Sequence, residues 1–342
     1  MPSTMRALVL PAHGELDQVQ LVENYPRPEL RPGHVVIRVT ASSWNYHDIF
    51  TVTGMPGITI PMPVVIGLDL VGEITELAED VTGWSAGDRV LVHPLHPDRG
   101  LMGETLDGGM AEYALVDARQ LVRIPAGVTD VQAAALPVAY GTAHRMVVGK
   151  GAVSAGDTVL ILGASGGVGT ASVLLAKQLG AHVIAAAGSQ EKCRALEEIG
   201  ADETLNYREV DFARWVKEHY GKPSRSSTET GVDVVINFTG GDTWHPTLRS
   251  VKLGGAILVC GATAGYDPVE DLRYIWSFEL RVIGSNGFQT EDFEALLAMI
   301  DRGELDPVVS EVVSLEGALD GLRQVRDREV LGKIVVTPGA RS

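Results

Sequence analysis

Two cysteines in 342 residues, Cys193 and Cys260, are too few for a disulfide framework and exclude a site built from clustered thiolates. Basic residues are also scarce: 28 Lys and Arg stand against 44 Asp and Glu, a formal charge of −16. A field of that sign repels polyanions, so neither nucleic acid nor an anionic membrane surface is expected as a partner. No apolar run reaches the roughly 18 residues of a membrane-spanning helix, and no charged-then-apolar segment opens the chain. Neither a transmembrane helix nor a signal peptide is expected, and a cytoplasmic location is the default. There is no internal repeat or low-complexity tract. With 45% hydrophobic and 21% charged residues the composition is that of a globular protein, and the length favours two domains over one.

Residues 1–128 contain short β-patterned runs such as HVVIRVTA, LVGEITEL, DRVLVHP and MAEYALV, separated by Pro and Gly, which predicts a small barrel-like β domain. Residues 129–275 alternate strand and helix: TVLILG, a helix through Leu179, HVIAAA, a helix Glu191 to Ile199, ETLNY, a helix Phe212 to Tyr220, VDVVINF and AILVCGA. That alternation predicts an α/β fold with a doubly wound parallel sheet. The stretch 221–231, rich in Gly, Ser and Thr, reads as a surface loop without assigned chemistry. Residues 276–342 supply a last sheet strand in RVIGS, helical segments near 290–303 and 315–326, and a closing strand KIVVT, predicted to return to the first domain.

Within the second region, the apolar strand TVLILG runs into Ala164-Ser165-Gly166-Gly167-Val168-Gly169 and then ASVLLAKQLGAHVIAAA. An amphipathic helix, a stop at Gly180 and a second apolar strand complete a βαβ unit. Glycines let the backbone approach a pyrophosphate, and the helix starting near Val168 aims free N–H groups at it, so the segment reads as a dinucleotide-binding turn. An NAD site carries a carboxylate about 20 residues beyond the turn to accept from the ribose 2′-hydroxyl. Here the second strand ends in Ala187 and continues Gly188, Ser189, Gln190, Glu191, Lys192, Cys193, Arg194. A hydroxyl and cations at Ser189, Lys192 and Arg194 suit a 2′-phosphate, which selects NADP(H) over NAD(H), although Glu191 dilutes the local charge. Gly261, in Cys260-Gly261-Ala262, ends a later strand at the carboxyl edge of the sheet, where such folds bind ligands. Thr142 is expected to start the helix leading into this domain and to contact the nicotinamide side.

The blocks GLDLVGEITELAEDVTGWSAGDRV, DGGMAEYALV, AAALPVAYGTAHRMV, GASGGVGTASVLLAKQLGAHVIA and LGKIVV together resemble the medium-chain dehydrogenase/reductase superfamily over nearly the whole chain. The resemblance implies a GroES-like catalytic domain, a Rossmann domain with the cofactor in the cleft between them, and hydride transfer at nicotinamide C4. Where zinc alcohol dehydrogenases of the superfamily carry their catalytic metal ligands, this sequence has Asn45, Leu68 and Val138, and the four-cysteine structural lobe is replaced by a short loop from His93 to Glu104. The chain is therefore similar to the zinc-independent, zeta-crystallin-like quinone oxidoreductases and the related enone and enoyl reductases. Ala164 in place of the usual first glycine matches their form of the turn.

That likeness makes Asn45 the candidate for polarising the acceptor and its neighbours Tyr46 and His47 candidate proton donors. Tyr46 has core packing as its alternative. Tyr207 is implied near the adenosine end of NADP(H), Asn286 near the nicotinamide amide, and self-association as a homodimer or higher homo-oligomer through strands near 255–285. Asp48 and Asp69 read as buried structural partners. A metal site improvised from His93, His96, Asp98 and Glu104 is weighed and set aside, so no metal is assigned. The expected reaction is NADPH-dependent reduction of a quinone or α,β-unsaturated carbonyl (enone or enoyl) substrate. The alternatives are a zinc-type alcohol dehydrogenase and a non-enzymatic, crystallin-like NADPH-binding protein.

Overall fold

The computed structural model describes residues 3–339, which divide into one compact unit made of residues up to 139 and from 290 onward, and a second of residues 140–289. In the first unit, His34–Ser43 is the central strand, with a burial pattern that leaves little of it to solvent. It pairs antiparallel with Val71–Leu77 on one side and with Tyr113–Asp117 and Lys333–Thr337 on the other. Arg89–Val92 and Leu121–Arg123 extend the sheet beyond Val71–Leu77, and Val309–Ser314 extends it beyond Lys333–Thr337. A smaller sheet joins Thr4–Leu10 to Gln20–Pro26 and Val64–Val65. The return segment is thus a full partner of the first domain: Val335 and Val336 lie in register with Ser43 and Ser42. One apolar core gathers Leu8, Trp44, Val52 and Ile66 with Leu315, Leu322 and Ile334 from the far end of the chain.

The second unit is a six-stranded parallel sheet in the order Glu203–Asn206, His182–Ala187, Thr158–Leu162, Val232–Ile236, Val251–Val259, Arg281–Gly284. Its inner strands are continuous apolar runs, as a sheet covered on both faces requires. Chain order reverses between Thr158–Leu162 and Val232–Ile236, the switch point at which open α/β sheets receive ligands.

The division at residues 139 and 140 falls later than residue 129, because the helix Asp130–Ala134 packs on the central strand of the first unit. Its N-cap Thr129 exchanges hydrogen bonds with Gln132, whose amide also donates to Asp306. The helical path then widens into a π-helical turn at Leu136–Tyr140. Pro137 lacks an N–H and its ring crowds the preceding turn, which accounts for the irregularity. The second break also moves, since residues 276–289 complete the second unit and the return begins at the helix Thr290–Asp301. The strand Val309–Ser314, missing from the sequence expectation, has a half-exposed pattern with little hydrophobic alternation.

Candidate functional site

In the first unit, chemistry concentrates where the central strand ends and the helix Tyr46–Thr53 begins. Asn45 precedes that helix in extended conformation, and its N–H donates to Asp48 Oδ2 at 2.8 Å. The Asn45 side chain is occupied at both ends: Nδ2 donates to Asp69 Oδ2 at 2.8 Å, and Oδ1 accepts from Lys333 Nζ at 2.5 Å. Lys333 Nζ also donates to the Trp44 carbonyl at 2.6 Å and to Asp69 Oδ2 at 3.2 Å. Asp69 further accepts from Ser43 Oγ at 2.5 Å and, through Oδ1, from the Val138 N–H at 2.9 Å. Val138 lies in the π-helical turn, so the break caused by Pro137 places its N–H on Asp69.

Lys333 is 2% exposed and Asp69 is 0% exposed, and a buried ion pair persists only when its remaining lone pairs and protons are satisfied, as here. Residues 45, 68 and 138 offer an amide, an apolar side chain that is itself buried, and a backbone N–H. They do not fit zinc, which takes three protein ligands from Cys, His or carboxylate in a catalytic site.

Beside this network, His47 Nε2 lies 2.7 Å from Glu104 Oε2, with the imidazole 32% exposed and the carboxylate 7%. Tyr46 packs edge-on against Phe50 at 5.3 Å and under the Arg328 guanidinium, against the apolar core. The loop once weighed as a metal site does not converge: Glu104 turns to His47, Asp98 pairs with Arg119, and His93 packs against Phe293. His96 instead meets His34 and Asp117. There His96 Nδ1 accepts the Asp98 N–H at 3.0 Å and Nε2 faces Asp117 at 3.3 Å, while the Arg99 guanidinium approaches both imidazoles. Burial and Arg99 hold His96 below the usual histidine range. The cluster is a hydrogen-bonded network with a cation of its own.

In the second unit, the strand Thr158–Leu162 feeds the turn through Gly163, at φ +71°, and Gly166 precedes the helix Gly167–Gln178. The first N–H groups of a helix lack intrahelical acceptors, which leaves those of Gly167, Val168 and Gly169 directed at the turn, beside half-buried Ser165. A Cβ at Gly169 would lie 2.5 Å from the Ala164 and Gly163 carbonyl oxygens, so only glycine lets helix and strand approach this closely. Ser189 caps the next helix, Gln190–Glu198, by accepting from the Lys192 N–H. Tyr207 follows the neighbouring strand, and a Cβ at Gly188 would come within 2.7 Å of its hydroxyl and 3.4 Å of Arg208 Nε. Ser189, Tyr207 and Arg208 therefore flank one turn, with Lys192 on the helix behind it. Arg208 was missed; its place directly after ETLNY was the available signal. Thr142 is buried in the helix Gly141–His144, which packs on Gly167–Gln178. Gly261 and Asn286 follow adjacent strands at the same sheet edge and are both exposed. Burial pushes the Cys260 thiol up to about 12 and also raises Cys193, so neither is poised as a nucleophile.

Residues 31–126 match the model of the alcohol dehydrogenase GroES-like domain, and residues 167–302 that of the zinc-binding dehydrogenases. Acryloyl-coenzyme A reductase of Metallosphaera sedula is 30% identical, over 97% of this chain and 100% of that protein. Quinone oxidoreductase-like protein 2 of Bos taurus is 31% identical, over 94% of this chain and 90% of that one. A solved structure of the 2-octenoyl-CoA carboxylase reductase CinF, in complex with NADP and 2-octenoyl-CoA, superposes with a TM-score of 0.87 at 29% identity, covering 98% of this chain and 88% of its own. A GroES-like unit followed by a Rossmann unit defines an oxidoreductase of the alcohol dehydrogenase type. The chain belongs to the medium-chain dehydrogenase/reductase superfamily, in its quinone oxidoreductase-like group.

Two consequences for stability follow from the buried network. Replacing Lys333 by Met strands the Asp69 charge, and a loss of about 3–5 kcal/mol in urea unfolding is expected; a loss under about 1 kcal/mol would contradict the pairing. Asp48 is fully buried with Oδ1 unpartnered, and burial first, then Asp69, pushes its carboxyl up to about 7 against the opposing Asn45 N–H. The unfolded chain ionises near pH 3.9, so folding takes up a proton between about pH 4 and 7 and stability falls across that window as pH rises. Asp48→Asn, which keeps an acceptor for the Asn45 N–H, is expected to flatten this fall, as read from unfolding curves at about pH 5 and 8. A slope equal to that of the wild type would count against it.

Proposed function

We propose that the protein is an NADPH-dependent reductase of an α,β-unsaturated carbonyl compound, an enoyl thioester or enone, or of a quinone, and that it works without zinc. The observation that carries this reading is the Lys333–Asp69–Asn45 network standing where the superfamily's zinc dehydrogenases hold their metal. Without a Lewis acid, alcohol oxidation loses the group that stabilises an alkoxide, whereas reduction of a conjugated acceptor develops charge on an oxygen that hydrogen bonds can hold. The names of the relatives, acryloyl-coenzyme A reductase and quinone oxidoreductase-like protein 2, and the NADP and octenoyl-CoA bound to CinF support the same choice. Bound NADPH supplies the hydride from nicotinamide C4. Ser189, Lys192, Tyr207 and Arg208 are the residues that hold its 2′-phosphate, and the turn 165–169 holds its pyrophosphate, with Thr142, Gly261 and Asn286 on the nicotinamide side.

His47 is the proton donor in this proposal. Its Nε2–H donates to Glu104, which fixes the ring and leaves Nδ1 as the nitrogen turned to the acceptor. Asn45 acts as a positioning residue, because both ends of its amide are engaged in the buried network. Purified enzyme is expected to oxidise NADPH with a panel of enoyl thioesters, enones and quinones, to prefer it over NADH, and to be unaffected by chelators. Glu104→Gln should lower kcat by releasing the His47 ring, and His47→Gln should cost about 10²-fold or more in kcat with the KM for NADPH unchanged. NADPH binding without turnover of any acceptor would favour a non-enzymatic role instead, and loss of activity on chelation would return the metal.

We also propose a homodimer in the cytoplasm. The edge strand Arg281–Gly284 has Val282 46% exposed, and Leu272 and Trp276 are exposed on the preceding helix, an apolar margin that a second copy would cover. No helix among the described residues is long and apolar enough to cross a membrane. Sedimentation of protein from the cytoplasmic fraction is expected at twice the chain's mass, and a monomer at micromolar concentration removes the dimer.

A further inference from the structure

Away from the glycine turn, the second unit carries a groove of about 730 Å³ walled by the helices Phe212–Tyr220, Trp244–Leu248 and Leu272–Ser277 and by the loop that follows the first of them. Arg214, Lys217, Lys222, Arg225, Arg249 and Arg273 all line it. Its two carboxylates are committed: Asp211 accepts the Arg214 N–H as a helix cap at 2.8 Å, and Asp271 pairs with Arg273 at 2.8 Å. Among the described residues, no carboxylate lies within 4.0 Å of the charged groups of Arg214, Lys217, Lys222, Arg225 or Arg249.

In a chain of charge −16, this gathering of uncompensated cations reverses the local field and makes the groove a place where an anion is stabilised. The remaining wall is largely apolar. Tyr274 and Phe278 stack with ring centroids 5.8 Å apart and planes 13° from parallel, alongside Pro223, Pro246 and Leu248. An aromatic face beside arginines and lysines matches a ligand with both a planar base and phosphates, the base stacking while the guanidinium forks take phosphate oxygens. The volume lies in the range of small-molecule sites. None of the lining residues belongs to the turn 163–169 or to the Ser189, Lys192, Tyr207 and Arg208 set, so the groove is separate from the site assigned to NADPH.

We propose that this groove binds the phosphorylated head of an adenine nucleotide, supplied either by a free nucleotide or by the adenosine phosphate end of a coenzyme A thioester. The second source rests on the enoyl thioester reading above; the first does not. The test is calorimetric titration of the NADPH-saturated full-length protein with ADP, coenzyme A, dephospho-coenzyme A and pyrophosphate. A single saturable event with Kd below about 1 mM, weakening as salt rises, is expected for the nucleotides.

The double charge reversal Lys217→Glu with Arg249→Glu should weaken nucleotide binding by about tenfold or more and leave NADPH affinity unchanged. Tyr274→Ala should weaken the nucleotides more than pyrophosphate. Binding of coenzyme A tighter than ADP, with a variant whose KM rises for acyl-CoA substrates alone, identifies the thioester source. Equal binding of the two with KM unchanged identifies the free nucleotide. Absence of saturable nucleotide binding, or binding indifferent to the charge reversal, overturns the proposal. Because binding is read directly, an enzyme inactive on every acceptor would defeat the reductase reading without touching this one.

Discussion

An ammonium group on a strand whose other side chains are buried has to be neutralised where it stands, and much of the first unit is arranged around that requirement. Lys333 opens the strand Lys333–Thr337 and is itself almost completely enclosed. Its partners come from the end of the central strand at Trp44 and Asn45 and from Asp69. Asp69 in turn reaches Ser43 and the backbone of Val138. The chain's last strand, its central strand and the segment before the second unit are therefore tied through one carboxylate. Apolar packing alone would hold the return strand against the sheet, but it would not fix the orientation of Asn45. The charged network does, because the Asn45 amide is held at both its oxygen and its nitrogen.

The second unit meets the opposite electrostatic problem, that of receiving phosphates in a chain with a large negative charge. Two devices answer it at the sheet edge. The turn at 163–169 offers backbone N–H groups, which carry no net charge and so do not depend on the surrounding field beyond the helix terminus itself. Beyond the neighbouring strand ends, the Tyr207 hydroxyl and the Arg208 guanidinium approach Gly188, next to the helix cap Ser189. Glu191 lies in the same helical turn but is exposed, where solvent screens it.

The sheet of the second unit was legible because strands covered on both faces are apolar runs and the intervening helices carry their own stop signals. The helix Phe212–Tyr220 and the strand Lys333–Thr337 lie where the pattern puts them. The glycine turn was legible for a related reason: closeness of approach leaves a residue type, glycine, in the sequence. Pairings between distant residues leave no such mark. Lys333 and Asp69 are 264 residues apart, and His47 and Glu104 are 57 apart. In the His93–Glu104 loop too, metal-capable side chains that are neighbours in sequence point to different partners. The boundary near residue 140 depends on a π-helical turn, and hydrophobic periodicity is nearly blind to one inserted residue.

The network at Asn45 also bears on its two neighbours. With its carbonyl oxygen taken by Lys333 and one N–H by Asp69, the Asn45 amide has little capacity left for an acceptor and is only 7% exposed. Tyr46 has its ring against Phe50 and the core. His47 is half-exposed, as Tyr46 is, but has a buried carboxylate against its ring. Helix geometry explains why the three differ: Asn45 ends the extended segment, while Tyr46 and His47, successive residues of one helix, point about 100° apart, one to the core and one outward.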